Sequence, residues 1–287
     1  MPVYNAMPYL PESLNSILNQ TYTNFEFIII DDHSTDGSYE VLEKYARKDK
    51  RISLFRNAKN LGVSHTVMKG IKHSTGQYIA RMDADDISSP ERFAKQIAYF
   101  DKHPKSVAVG TQCLIINENG KTTGKKVFPT TFDDVYRYSF TFVPVQQPTL
   151  MIDRARLPKN FKFYIDGMNT AEEVELFFKL FKHGHVENIN QFLLKYRIHS
   201  TNTSFRNLRE TFLLTLVSRI KAIYAHNYSP TAKDVLVNLV QLAIVSLFPE
   251  KFVLWMYRAV RRINTEGEKP VFFLPFIHSH PAQHALK

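Results

Sequence analysis

The eight residues FEFIIIDD at 25–32 set the first limit on the fold. An apolar run without polar alternation, rich in β-branched side chains, suits a strand covered on both faces, as in parallel sheets flanked by helices. The neighbouring sequence supplies those helices. Leu10, Leu14, Ile17 and Leu18 recur at helical spacing and predict a helix over roughly 8–20, and Val41, Leu42 and Tyr45 predict another from Ser38 to Lys48. A short strand ISLF (52–55), a helix over 63–74, a strand QYIARM (77–82) and a helix opening at Pro90, a favoured first-turn residue, complete the pattern. Strand and helix alternate, so the first hundred residues predict a doubly wound α/β unit with a mostly parallel sheet.

Between 105 and 165 the pattern shortens to strands VAVG, CLII and KKVF, with a small helix near 133–140, an α+β elaboration. A helix resumes in AEEVELFFKLFKHG, with Val174, Phe177, Phe178 and Phe181 on one face and Gly184 as its stop. After YRIHSTNTS (196–204) the chain is helical, and basic and apolar by turns, to about 263. This predicts a unit over 1–204, divided into 1–110 and 111–204, followed by a helical basic region over 205–287.

In open parallel sheets, ligands bind beyond the carboxyl ends of the strands. Two acidic clusters hold that address: Asp31-Asp32 after FEFIII, and Asp83-Ala84-Asp85-Asp86 after QYIARM. In an extended segment positions i and i+2 point the same way, so Asp83 and Asp85 project together, and two hard oxygen donors suit Mg²⁺ or Mn²⁺. Such an ion would bridge phosphate oxygens and neutralise a departing diphosphate. The plainer alternative is that each cluster forms a turn or caps a helix. No G-x-G-x-x-G and no P-loop is present, which excludes the common dinucleotide and NTPase sites.

The formal net charge of +10 favours an anionic partner. The aromatic-basic motifs of nucleic-acid readers are missing, so nucleic acid is not the expected one. A single cysteine, Cys113, excludes an internal disulfide framework, fits a reducing compartment and reads most simply as a small core residue. No basic-then-apolar leader is visible. No run reaches the about 18 unbroken apolar residues of a membrane span. The nearest, VLVNLVQLAIVSLF (235–248), is interrupted by Asn238, Gln241 and Ser246.

The order MPVYNA, ILNQTYTNFEFIIIDDHSTDGS, KNLGVSH and GQYIARMDADDISSPERF resembles the inverting family 2 glycosyltransferases of GT-A fold, over residues 1–204. The resemblance implies a nucleotide-sugar half over 1–110, an acceptor and catalytic half over 111–204, and a nucleotide-diphosphate donor such as a UDP-hexose or UDP-N-acetylhexosamine. It implies that Asp31 and Asp32 recognise the base, usually uracil, with Tyr4 under the base and Pro2 beside it. Asp83-Ala84-Asp85 matches the D-x-D motif, with Asp85 the more direct ligand of Mn²⁺ or Mg²⁺ and Asp83 beside it; Asp86 reads as a turn residue.

The family's catalytic carboxylate, in a Glu-Asp pair at a helix start, corresponds to Glu173, which stands where Asp is usual, or to Glu172. Its task would be to accept the proton of the acceptor hydroxyl as that oxygen attacks the anomeric carbon. A glutamate of ordinary pKa, about 4.3, is ionised at neutral pH, and a helix N-terminus keeps it so. Glu in a first turn is also a common dipole complement with no other role. In YRIHSTNTS, which matches the family's segment closing over the diphosphate, Arg197 offers a fork for phosphate and His199 completes the metal's ligands. VQQPTLMI (145–152) resembles the loop leading to the acceptor, with Gln147 where many relatives carry His. Relatives often carry Arg-Asn where Val67-Met68 stand, leaving a basic donor contact to Lys69 or His65.

The expected acceptor is a growing surface glycan or a lipid-linked sugar at the cytoplasmic membrane face. Arg206, Arg209, Arg219 and Lys221, then Arg258, Arg261 and Arg262 around Phe252, Leu254 and Trp255, predict peripheral membrane contact through the C-terminal region, against the alternative of a packed helical cap. MPVYNAMPYL lacks the apolar start of the family's first strand, so either a segment upstream completes it or the sheet is weakened. Two other functions stay open. A nucleotidyltransferase would carry a Gly-rich, Lys/Arg-bearing loop after the first strand, which is missing; a non-catalytic glycan- or nucleotide-binding relative is kept open by Glu173 and Val67-Met68.

Overall fold

A computed structural model of the chain describes residues 1–164, 172–199 and 208–261, without the side chains of Glu172, Leu208 and 257–261. It opens with β1 (Pro2–Val3), α1 (Leu10–Leu18), β2 (Phe27–Asp31), α2 (Ser38–Lys48), β3 (Ile52–Arg56) and α3 (Val63–His73). The three strands form a parallel sheet in the order β1-β2-β3, with Val3 opposite Asp31 and Phe27 opposite Ile52. Ile29 of β2 is fully buried in one core with Leu10, Leu14 and Ile17 of α1 and Leu42 of α2. The other face is covered by α3, where a side-chain carbon at Gly70 would lie 3.6 Å from Ile30. Each such Leu or Ile contributes about 1.5–3 kcal/mol, so this double cover is what holds the apolar run as a central strand.

The second sheet combines β4 (Tyr78–Ala80), β5 (Ile87–Ser88), β6 (Ser106–Ile116), β7 (Thr122–Lys126), β8 (Met151–Asp153) and β9 (His185–Arg197) in the order β4-β8-β6-β9-β5, with β7 beside β6. It is mixed. The β6–β9 pairing is parallel, from Ser106 opposite His185 to Ile116 opposite Arg197, and the other pairings are antiparallel. The expectation of a parallel partner for QYIARM is thus corrected, since β4 pairs with β8. Mixed sheets of this kind are ordinary in large α/β folds. VAVG and CLII prove to be parts of one 11-residue strand, β6.

Helix α4 (Arg92–Lys102) locks the two halves together through polar groups in the interior. Gln96 Nε2 donates to the carbonyls of Val109 (2.9 Å) and Thr149 (2.7 Å). The buried Arg92 guanidinium donates to the carbonyls of Pro148 and Arg81, which anchors the start of the acidic turn. Buried carbonyls require such partners, and these also fix the turns at the sheet rim.

Helices α5 (Phe132–Ser139), α6 (Glu172–Leu180), α7 (Leu208–His226), α8 (Ala232–Leu247) and α9 (Glu250–Arg261) complete the described chain. Val174 and Phe178 of α6 share a core with Phe140 after α5 and with Ala222 and Tyr228 at the end of α7. The buried Glu175 of α6 accepts from Lys221 of α7 at 2.9 and 3.0 Å.

Candidate functional site

The loops beyond β1 and β2 are built from short polar residues that hydrogen-bond each other. Asn5 N donates to Ser34 Oγ (3.0 Å), Thr35 N to Asn5 Oδ1 (2.8 Å) and Met7 N to Asp36 Oδ2 (2.9 Å). Asn5 and His33 take positive φ, 48° and 66°, a region these two residue types tolerate better than most. Pairing places Pro2 opposite Ile30, and the Asp32 amide donates to the Val3 carbonyl at 2.7 Å. Tyr4, the next residue, is half exposed.

Asp31 and Asp32 are both buried. Asp31 is paired with Arg56, Nε to Oδ2 at 3.0 Å. Asp32 receives Asn57 Nδ2 (2.7 Å), the Leu61 amide (2.9 Å) and the Gly62 amide (2.9 Å), and so holds the loop between β3 and α3 in place. Lys69 donates to Asn57 Oδ1 at 2.8 Å, which puts the expected basic residue within this network, whereas His65 is exposed. Val67 is buried in the second core and Met68 packs against it, an apolar use of positions where Arg-Asn was the alternative.

A second cluster gathers where β4 and β9 end. His199 Nε2 lies 2.9 Å from Asp85 Oδ2. The Tyr9 ring is 4.9 Å from the His199 ring, and the Arg197 guanidinium carbon lies 4.6 Å from the Tyr9 ring. Arg197 points inward. Its Nε donates to the Asp85 carbonyl (2.8 Å), Nη1 to the carbonyls of Asn117 and Glu118 (both 3.2 Å), and Nη2 pairs with Glu12 at 2.5 Å. With 2% of the side chain exposed, this guanidinium braces the rim instead of presenting its fork to the open side. A fork with five donors is satisfied best by several carbonyls at once.

The three carboxylates separate by environment. Asp86 is fully buried and accepts the Arg197 amide at 2.8 Å. Burial, then repulsion by Asp85 and Asp83, pushes its carboxyl well above the usual range, and it is the internal member of the three. Asp83 is raised as well, through desolvation by its dense surroundings and repulsion by Asp85, although 31% of its side chain reaches the surface. The Arg81 guanidinium, 3.0 Å away, opposes that shift. Arg81 also reaches Gln147 Oε1 (3.4 Å), and Gln147 Nε2 reaches the Tyr164 hydroxyl (3.4 Å), a polar chain running from the acidic turn to the 147–149 loop.

No group of three metal-donating side chains is gathered among the described residues. The Asp85–His199 pair nonetheless fits a divalent ion. One hard oxygen and one imidazole nitrogen already face each other, Asp85 is 26% exposed, and an ion held by two protein groups leaves its other positions to phosphate oxygens and water. Glu173 lies in the first turn of α6 and is partly exposed; the side chain of Glu172 and residues 165–171 before it lie outside the described residues. Sequence reasoning passed over Tyr9, Glu12 and Arg81. Arg81 stands inside the quoted motif, but nothing local marks Tyr9 or Glu12 as partners of residues some 190 positions away.

Comparison with known proteins adds a family. The sequence profile of Glycosyl transferase family 2 matches residues 1–165. The putative glycosyltransferase EpsE of Bacillus subtilis is 33% identical over 216 residues, 74% of this chain and 76% of its own. An uncharacterized glycosyltransferase of Haemophilus influenzae is 32% identical over 241 residues, 81% of this chain and 69% of its own. Among solved structures, S. aureus TarS in complex with UDP-GlcNAc aligns with a TM-score of 0.63 at 20% identity, covering 91% of this chain and 74% of that one. Mannosyltransferase PcManGT from Pyrobaculum calidifontis, in complex with GDP-Man and Mn²⁺, aligns with a TM-score of 0.57 at 14% identity, covering 89% and 81%. Against a longer TarS structure this chain covers 42% of the length. At these identities the structural likeness speaks to the fold, which is the GT-A arrangement that the motif order implied.

Proposed function

The chain belongs to glycosyl transferase family 2, and from that premise we propose that it is a metal-dependent, inverting transferase acting on a hydroxyl of a growing surface glycan or lipid-linked acceptor. The donor would be a UDP-hexose or UDP-N-acetylhexosamine. The observation that carries the reading is the Asp85–His199 pair, 2.9 Å apart where two strands end, next to the D-x-D turn. The complexes of TarS with UDP-GlcNAc and of PcManGT with GDP-Man and Mn²⁺ support a nucleotide-sugar and a divalent ion here. The putative teichuronic acid biosynthesis glycosyltransferase TuaG of Bacillus subtilis, 26% identical over 207 residues, supports a polysaccharide acceptor.

In this mechanism Asp85 and His199 would hold Mn²⁺ or Mg²⁺, with Asp83 beside them, and the bound charge would offset that developing on the departing nucleoside diphosphate. Asp31, Asp32, Tyr4 and Pro2 form the base-recognition corner, and Asp32 does so by fixing the 57–62 loop. Arg197 keeps the 85–86 turn and His199 in register through the Asp85 carbonyl and the Asp86 carboxyl. Glu173, with Glu172 as the alternative, accepts the proton of the acceptor hydroxyl as its oxygen attacks the anomeric carbon from the face opposite the diphosphate, which inverts the configuration. The reaction would take place in a reducing, cytoplasmic compartment, which the single cysteine supports.

A panel of nucleotide-sugars with Mn²⁺, read by release of nucleoside diphosphate, tests the proposal. Asp85→Ala is expected to abolish turnover together with metal-dependent donor binding. Glu173→Gln is expected to abolish turnover and leave donor binding intact. Full turnover by Glu173→Gln would move the base to another residue, and full turnover by Asp85→Ala would remove the metal from the mechanism.

A further inference from the structure

The helical region after residue 207 exposes much of its apolar surface and buries several of its polar side chains. Its first helix, α7, exposes Val217, Ile220 and Tyr224 at 60, 48 and 82%, on one helical face, while Thr215, Ser218 and Arg219 of the same helix are buried. Its neighbour α8 exposes Leu236, Leu239 and Val240 at 50–61% and buries Asn238. The buried polar groups satisfy one another. Arg219 Nη1 donates to Asn238 Oδ1 (2.9 Å) and Gln241 Oε1 (3.2 Å), Asn238 Nδ2 to the Phe140 carbonyl (2.9 Å), and Gln241 Nε2 to the Thr141 carbonyl (3.2 Å). Two of the three interruptions of the apolar run 235–248, Asn238 and Gln241, are therefore anchors to the α/β unit, and the outward face is mainly apolar, with Ser246 exposed near its end. A surface helix facing water has the opposite pattern, and contiguous exposed apolar surface marks an interaction site.

We propose that the outward apolar face of α7 and α8 is a docking surface for an anionic lipid bilayer, with both helices lying in the boundary between headgroups and acyl chains. Charge selects this occupant. Residues 208–261 carry seven Lys/Arg against three Asp/Glu, and Arg209, Lys221, Lys233 and Lys251 are exposed on these helices and their neighbour α9. Anionic headgroups complement that charge, each nearby basic side chain raising partition by about fivefold. A second copy of the chain would bring the same excess of positive charge against itself. No described helix is long and apolar enough to cross a membrane, so the face lies along the bilayer. The surface overlaps only in part the one expected from sequence, which joined Arg206, Arg209, Arg219 and Lys221 to Arg258, Arg261 and Arg262: Arg209 and Lys221 are exposed, Arg219 faces inward, the side chains of Arg258 and Arg261 are outside the description, and Arg206 and Arg262 lie outside the described residues. The inference stands on the helical region alone and holds whether or not the transfer chemistry does.

Flotation of the full chain with phosphatidylglycerol–phosphatidylcholine vesicles, with phosphatidylcholine vesicles and without lipid tests it. Binding to the anionic vesicles, weakened by salt and much weaker on phosphatidylcholine alone, is the expected result. Leu236→Glu with Leu239→Glu is expected to lower partition by roughly tenfold or more while nucleoside diphosphate release in solution is unchanged. Lys233→Glu with Lys251→Glu keeps the apolar face and is expected to lower binding to the anionic vesicles by about 25-fold or more, with an unchanged melting temperature. The proposal is overturned if the wild-type chain stays unbound at low salt, or if both variants bind as it does. It is equally overturned if sedimentation shows instead a dimer that the leucine variant dissociates, or if the wild-type chain prefers neither kind of vesicle.

Discussion

Asp32, a residue of the proposed site, shows how such a side chain can also hold the fold. Its carboxylate collects three N–H donors from the loop after β3, so the charge is buried yet hydrogen-bonded, the condition under which burial of a carboxylate is tolerated. Asp32→Ala leaves those donors unmet and is expected to lower stability by about 2–3 kcal/mol, read as a shifted urea midpoint with an unchanged slope, and to weaken nucleotide binding in parallel. An unshifted midpoint would show that the loop is held by other groups. Residue-level legibility was uneven for a physical reason. The address of Asp31, Asp32 and Asp85 could be read because strand ends are local features. The direction of Arg197 could not, because it is set by Glu12 and by the carbonyls of 85, 117 and 118, which are distant in sequence.

At the scale of elements, helices with one clear apolar stripe were legible to within two or three residues, as with α2 and α3. Strand β9 was not anticipated, because Asn190, Gln191 and Phe192 are consecutively exposed at its register shift and break the alternation that would announce a strand. The contact of α6 with α7 has a pH signature. Neither ring nitrogen of His226, at the end of α7, meets a hydrogen-bond partner among the described residues. Burial lowers its pKa below the ordinary 6.5, with Lys182, Lys179 and Lys221 adding to the effect and Glu175 opposing it. Between its folded and unfolded values the unfolded chain binds the extra proton, so stability rises with pH through that window and is lost as pH falls through it from 6.5. The melting temperature is therefore expected to drop on acidification below 6.5, and His226→Leu to flatten that part of the profile. Parallel profiles for the two chains would exclude His226 as the source.

On the scale of the whole molecule, the change of composition near residue 205 announces a different region but conceals how firmly it is attached. Phe140, Val174 and Phe178 of the α/β unit share a core with Ala222 and Tyr228, and Glu175 is paired with Lys221 across the boundary. A chain ended at residue 204 would expose that cluster and leave Glu175 with Lys179 alone, at 3.4 Å. It is expected to melt at a lower temperature and to scatter light at concentrations where the full chain stays clear, whereas an equal melting temperature would make the helical region a separable appendage. The brace formed by Arg197 carries a further consequence for the order of events in biosynthesis. Its partner Glu12 leaves the ribosome early and then waits for residue 197, so the rim is incomplete until the last strand of the sheet has cleared the exit tunnel. A nascent chain that ends before residue 197 lacks Arg197 altogether, so Glu12 and the carbonyls of 85, 117 and 118 wait without the cation that ties them together.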